Sequence, residues 1–336
     1  MAGRNEIERV SIGLEELGLA AGAPVADGAA ALLRQQQAAW EMLRTNVASL
    51  AHVRTRQFRF GGYQVRVQFN PGRLTSSAAR VDDRSIRERK CFLCLPHLPP
   101  EQRGVPYGSN FIILCNPFPI FPEHFTIPHV DHVPQRIAGE LGSFLALARD
   151  LAPRYSVFYN GPRCGASAPD HLHFQAGTRQ FMPIEGQYAR LRAAEGKEVR
   201  TTGTAKTIAI EGGGRRFVAF EGTDAADVER AVAEYVAVLQ GITEDVEEAM
   251  MNLIAWYEGG SWVVLLFPRA KHRPSFYFAE GDERLLISPA AVDLGGVSIT
   301  PVEADFRKVT HEHLAAMYQE VLLSRAEFWA SVPSHL

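Results

Sequence analysis

The chain is short of sulfur, of long apolar runs and of any excess of one charge. Its 336 residues include four cysteines, six methionines and four tryptophans. Four cysteines in a chain of this length make no disulfide scaffold, so thiols or metal ligands are their expected roles. No run of about 18 apolar residues occurs, which argues against a membrane-spanning helix. The opening MAGRNEIERVSIGLEELGLA sets acidic residues where a secretory leader has an apolar core. Lys+Arg number 35 and Asp+Glu 38, a net charge of -3, which argues against a broad non-specific grip on nucleic acid. These absences point to a soluble cytoplasmic protein with neither nucleic acid nor membrane as partner. What is present, 46% hydrophobic and 22% charged residues, suffices for a large core and about two domains.

Periodicity predicts a mixed α+β chain with antiparallel sheets. A helix is expected over 29–50, then a hairpin in RQFRFGGYQVRVQFNP turning at Gly61-Gly62. A proline-rich connection, IRERKCFLCLPHLPPEQRGV, holds a CxxC. Residues 110–132 read as strand, proline-broken turn and strand, and 135–151 as a helix. RYSVFYN and DHLHFQA are expected strands flanking the glycine-bearing loop YNGPRCGASAP. Beyond them come helices near 186–196 and 224–241, hairpins in KTIAIEGGGRRFVAF and through Gly259-Gly260, and a mostly helical tail. FIILCNPFPIFPEHF and WVVLLFPRAKHRPSF share a plan of apolar strand, proline and polar groups, which hints at two related halves.

The stretch DHLHFQA carries the chemistry. On a strand, His171, His173 and Gln175 share one face, while Leu172 and Phe174 turn to the core. Two imidazoles and an amide in a row need partners if buried, and they follow a Gly/Ser loop directly.

YNGPRCGASAPDHLHFQAG resembles the active-site segment of the histidine triad superfamily. It is most similar to the His-x-His-x-Gln branch of galactose-1-phosphate uridylyltransferase, diadenosine tetraphosphate phosphorylase (ATP adenylyltransferase) and the GDP-hexose phosphorylases. NPFPIFPEHFTIP and LLISPAAVDLGGVSITPVEADFRKVT resemble further segments of these proteins. The resemblance implies HIT-like antiparallel sheets with packed helices, in two fused halves of which only the first carries the motif. The expected division is an N-terminal helical segment 1–55, a catalytic half 56–180, an insertion or connection 181–245, and a second half with C-terminal helix 246–336.

The same resemblance implies residue roles. His173 is the nucleophile, attacking the α-phosphorus of a nucleotide to give a nucleotidyl-histidine that an acceptor then cleaves. Its other ring nitrogen needs an orienting acceptor, a backbone carbonyl of the motif being the natural one. Gln175 stands where hydrolytic members carry a third histidine. An amide donates hydrogen bonds to phosphate but protonates no leaving group, which favours transfer or phosphorolysis over hydrolysis. The loop residues Asn160, Gly161, Gly165, Ala166 and Ser167 would offer main-chain N–H groups to phosphate oxygens. Asn116, Pro117 and Phe118 would line a base and ribose pocket. Apart from the resemblance, Gln68, Asn70 and Arg73 could serve the base and phosphate, although a strand end and turn explains them as simply, and His124 could face the site or the surface. In FPRAKHRP, Arg269, Lys271 and Arg273 could contact phosphates, although a solvated basic turn explains such a run equally simply.

Cys91 and Cys94 alone leave metal binding, redox chemistry and incidental thiols open. By resemblance they join His132 and His171 as a structural Zn2+ site, with His129 as competing third ligand. No organic cofactor is expected. The implied activity is a nucleotidyltransferase or phosphorylase. The donor would be an NDP-sugar such as a GDP-sugar, or a dinucleoside polyphosphate such as a diadenosine polyphosphate. Inorganic phosphate or a sugar phosphate would accept. A histidine triad hydrolase and a non-catalytic nucleotide-binding protein are the alternatives, and monomer and homodimer both remain open.

Overall fold

The computed structural model describes residues 4–73, 83–243 and 247–332. Thirteen strands among them form two sheets. β1 (Arg54–Phe60) and β2 (Tyr63–Phe69) make the expected hairpin through Gly61 and Gly62, both at positive φ, and β13 (Val297–Thr300) lies parallel to β2. The large sheet is antiparallel throughout. It holds β3 (Gly104–Tyr107), β4 (Phe111–Cys115), β5 (His124–Pro128), β6 (Tyr155–Asn160) and β7 (His173–Thr178). It also holds β8 (Gly196–Thr202), β9 (Ala205–Gly212), β10 (Arg215–Gly222), β11 (Met251–Glu258) and β12 (Ser261–Pro268).

The strand order is β3-β4-β5-β7-β6-β11-β12-β10-β9-β8. Read outward from its centre, each set of five strands follows the same path. Helices Leu141–Asp150 and Ala225–Thr243 fall at the same place in the two sets, each between its third and fourth strand in chain order. The sets meet where β6 pairs with β11, Asn160 facing Asn252. The segment 181–245, expected as an insertion or connection, supplies three strands of this sheet. The similar plan of FIILCNPFPIFPEHF and WVVLLFPRAKHRPSF does not mark equivalent strands, because β12 occupies the position of β7 and not of β4.

Both faces of the sheet are covered, which is why β11 and β12 read as nearly unbroken apolar runs. Leu253 and Ala255 join a core with helices Val25–Ala39, Leu141–Asp150 and Ala225–Thr243. Ile254 and Trp256 join another with β2, β13 and helix His311–Val321. The N-terminal helix differs from expectation. It is broken into Val25–Ala39 and Glu41–Ser49 at Trp40, whose extended backbone (φ -121°, ψ 105°) carries the indole into the core. Asp224 caps the long helix, accepting from the N–H of Asp227 at 3.0 Å. No helix among the described residues is long and apolar enough to cross a membrane.

Candidate active site and metal centre

The motif divides at His173. β7 begins there, so His171 lies in the turn before the strand, with its N–H bonded to the carbonyl of Ala168 at 3.2 Å. The expected single face is thus only His173 and Gln175, with Phe174 in the core behind. His171 does not line the cavity described below and lies against Cys91 and Cys94.

His173 is 4% exposed. Its Nδ1 lies 2.8 Å from the carbonyl oxygen of His171. A carbonyl only accepts, so Nδ1 carries the proton and Nε2 keeps its lone pair. Burial lowers the pKa of the ring, while the His171 carbonyl and Asp170 act in the opposite direction, so the imidazole is held neutral.

Gln175 is oriented by a chain of donors. The N–H of Ile120 donates to Nδ1 of His124 at 3.2 Å. Nε2 of His124 must then bear its proton, and it lies 3.1 Å from Oε1 of Gln175. Desolvation, then the nearby Arg73, pushes the pKa of His124 down to about 3, so the ring stays neutral. With its oxygen occupied, Gln175 presents its NH2 group.

Asn160 is fixed in the same sense. Its Oδ1 accepts from Nδ2 of Asn252 at 2.8 Å and from the N–H of Ala291 at 2.9 Å. Asn252 also donates to the carbonyl of Cys164 in the glycine-bearing loop at 2.8 Å, and Arg269 donates to Oδ1 of Asn252. The second set of strands thereby braces the loop of the first.

His173, Gln175 and Asn160 face a cavity of about 700 Å³. His173, Gln175, Asn160, Gly165, Ala166 and Ser167 contribute from the motif and loop. Asn116 and Phe118 come from the β4–β5 turn, where Oδ1 of Asn116 accepts from the N–H of Phe118 at 2.9 Å. Arg73 lines it too, donating to the carbonyl of Phe118 at 2.6 Å; burial lowers its pKa to about 10, partly offset by Asp293. Gly165 has φ +96°, and a Cβ there would stand 2.6 Å from that of Ala290.

Not every predicted contact reaches the cavity. Gly161 lies behind the loop against the carbonyl of Met251. Lys271 turns outward beside Glu320, 3.8 Å away. Arg269 is 1% exposed, and all five of its N–H groups are spent. They go to carbonyls of Val321, Pro289, Lys271 and His272 and to Asn252. Of FPRAKHRP, only His272 and Arg273 line the cavity. Arg273 donates to Ser288 at 2.9 Å and stacks over Tyr277. Burial and two neighbouring arginines lower the pKa of His272 to about 3. Sequence reasoning counted His272 only as part of the basic run, and it missed Arg89 and Asp293. Arg89 donates to the Ser167 carbonyl at 3.1 Å and to Asp170 at 2.9 Å, tying the CxxC segment to the loop. Burial raises the pKa of Asp293, another cavity residue, to about 6.

Beside the motif, one ligand atom each of Cys91, Cys94, His132 and His171 lie within 4.8 Å of one another. Nδ1 of His171 is 3.4 Å from Sγ of Cys91 and 3.6 Å from Sγ of Cys94, and Nδ1 of His132 is 3.2 Å from Sγ of Cys94. Metal–sulfur bonds of about 2.3 Å and metal–nitrogen bonds of about 2.0 Å at tetrahedral angles give edges of roughly 3.3–3.8 Å, so this set could hold a metal ion. Nε2 of His171 donates to the carbonyl of His129 at 2.8 Å, the outer bond usual for a metal-ligating histidine. The side chain of His129 is outside the set, its Nδ1 accepting from the N–H of Asp131.

Residues 32–178 match a family described as a domain of unknown function, DUF4922. No curated protein matches the chain. Among solved structures the chain is similar to yeast Ap4A phosphorylase Apa2, with a TM-score of 0.51 at 14% identity over 84% of this chain and 94% of that one. The fold is shared with that protein. The same yeast protein in complex with Ap4A gives a TM-score of 0.48 at 15% identity, covering 86% of this chain and 98% of that one. A DUF4931 family protein from Bacillus cereus gives 0.36 at 15% identity, covering 57% and 95%.

Proposed function

We propose that the chain is a nucleotidyltransferase of the phosphorylase type working through His173. The supporting observation is the hydrogen-bond pattern of the cavity. A neutral imidazole keeps a lone pair on Nε2, beside two amides, Gln175 and Asn160, whose oxygens are already spent. Such a site offers one nucleophile and NH2 donors suited to phosphate oxygens. Nε2 of His173 attacks the α-phosphorus, and the bond from phosphorus to the leaving phosphate oxygen breaks. The proton on Nδ1 stays bonded to the His171 carbonyl, which stabilises the cationic nucleotidyl-imidazole. An oxygen of the acceptor then attacks phosphorus, the P–N bond breaks, and the neutral ring returns. Neither amide can protonate a leaving group, so the leaving group must be acidic, as a phosphate is. His124 is neutral and engaged, and supplies no proton either.

The donor on this reading is an NDP-sugar or a dinucleoside polyphosphate, and inorganic phosphate or a sugar phosphate accepts. Arg73 and Arg273, which line the cavity, would meet its phosphates, and Asn116 and Phe118 would wall the nucleoside side. We place the boundary between the two halves near residue 180, with the second half lacking a His-x-His of its own. We also propose that Cys91, Cys94, His132 and His171 hold a structural Zn2+. It would fix the His171 main chain, whose carbonyl orients His173, and take no part in the transfer.

The test is incubation with α-labelled nucleoside diphosphate-sugars and dinucleoside polyphosphates, followed by phosphorolysis with inorganic phosphate. Acid-labile label that is absent in His173→Ala is the expected result. No label from any donor, or equal label in His173→Ala, overturns the reading.

A further inference from the structure

Gln135 lies outside the cavity lining, yet it holds the main chain of the proposed nucleophile. β6 and β7 pair from Tyr155↔Thr178 to Phe158↔Gln175. Continued by two residues, that register sets Asn160 opposite His173. The pairing stops short of this point, and a side chain takes the bonds instead. The N–H of His173 donates to Oε1 of Gln135 at 2.7 Å. Nε2 of Gln135 donates to the carbonyl of His173 at 3.1 Å and to that of Asn160 at 2.9 Å. One amide thus spends an acceptor and both donor hydrogens on the ends of two strands.

Gln135 is itself held. It is 1% exposed. Its N–H donates to the Pro169 carbonyl at 3.4 Å, at the far end of the glycine-bearing loop. Its carbonyl accepts from the hydroxyl of Tyr159 at 3.3 Å, and that hydroxyl also bonds Glu248 at 2.6 Å. A buried amide bonded to main chain on every side has one place to sit.

We infer that Gln135 is a positioning residue: its amide stands in for the backbone bonds between Asn160 and His173 and wedges the two strand ends apart. Directly paired strands lie about 4.8 Å apart, and an interposed amide requires more. The glycine-bearing loop leaves and returns through this opening, so the wedge sets where the loop lies relative to Nε2 of His173. The catalytic consequence rests on the nucleotidyl-transfer reading; the structural one rests on the hydrogen bonds alone.

Two variants test it. Gln135→Leu keeps the volume and removes every side-chain bond; Gln135→Glu keeps the acceptor and loses donors, and serves if the leucine variant does not fold. Amide exchange at His173 should accelerate about tenfold or more in Gln135→Leu, with β11 amides unchanged. On the donor found active, kcat should fall about 30-fold or more in either variant while KM stays within about threefold, because the substrate contacts remain and the attack geometry is lost. A folded variant with kcat within threefold of the parent, or a parallel loss of kcat, KM and β11 protection, overturns the positioning role. If the parent protein takes no label on His173, the transfer reading fails by itself. The exchange readout still decides the wedge, and unchanged protection at His173 would overturn it.

Discussion

His124→Phe isolates the claim that a tautomer, and not mere proximity, makes Gln175 a donor. His124 is 1% exposed and packs its ring against Phe121 at 5.1 Å and Phe158 at 5.9 Å, so phenylalanine preserves most of the shape. Two hydrogen bonds disappear, from the N–H of Ile120 and to Oε1 of Gln175. The first leaves a buried main-chain donor without a partner, worth about 1–3 kcal/mol of stability. The second frees the Gln175 amide to turn its oxygen toward the phosphates. Losing one amide donor to a charged group costs about 1.5–3 kcal/mol. Each 1.4 kcal/mol is about tenfold, so kcat/KM should fall by about 10- to 150-fold in folded protein. The assay is kcat/KM on the active donor for His124→Phe, Gln175→Ala and the double variant, with thermal unfolding alongside. Because both changes remove one interaction, the double variant should be little worse than Gln175→Ala. Additive losses, or a folded His124→Phe within threefold of the parent, would refute the reasoning.

Three further outcomes are expected. Gly165→Ala forces a Cβ to 2.6 Å from that of Ala290 at a φ of +96°; calorimetry should show about 2–4 kcal/mol lost, and titration weaker binding of a nucleoside monophosphate. Burial raises the pKa of Glu248 to about 7, against its bonds from Tyr159 and Ile137 and the charge of Arg136. The fold therefore favours the protonated acid, whose stabilisation is full below the ordinary pKa near 4.5 and is lost as pH rises through about 7. That loss is up to ~3 kcal/mol, and unfolding curves at pH 5 and pH 8 should differ more for the parent than for Glu248→Gln. Metal analysis of freshly purified protein should find about one zinc ion per chain. Cys91→Ser should lower that content together with the melting temperature, and zinc-free parent protein of unchanged stability would remove the metal proposal.

The motif was legible because its chemistry is local. A carbonyl two residues before His173, an amide two residues after it and a glycine-bearing loop alongside are all written within residues 159–176. The cysteine pair with His132 and His171 was legible through resemblance, and the structure brings those four residues together while leaving His129 out. The alternation reading of DHLHFQA went wrong at one point, placing His171 on the strand. Alternation assumes the strand runs through the motif, whereas β7 starts at His173. The basic run FPRAKHRP misled for a related reason. Composition counts cations and does not show which carbonyls surround them, and Arg269 spends every donor inside the protein.

Sequence alone determined the elements whose signals act over a few residues: the antiparallel strands with glycine turns, the helices between them, and the pairing of His173 with Gln175 on one strand face. Only the tertiary structure decided how Asn252, Arg269 and Ala291 from the second set of strands lock Asn160 and the loop of the first. It also decided how Ile120 and His124 orient Gln175, and how Gln135 holds His173. The physical reason is that hydrogen-bond direction belongs to pairs of groups. An amide can present its oxygen or its nitrogen, and the choice is made by partners as much as 131 residues away in the chain.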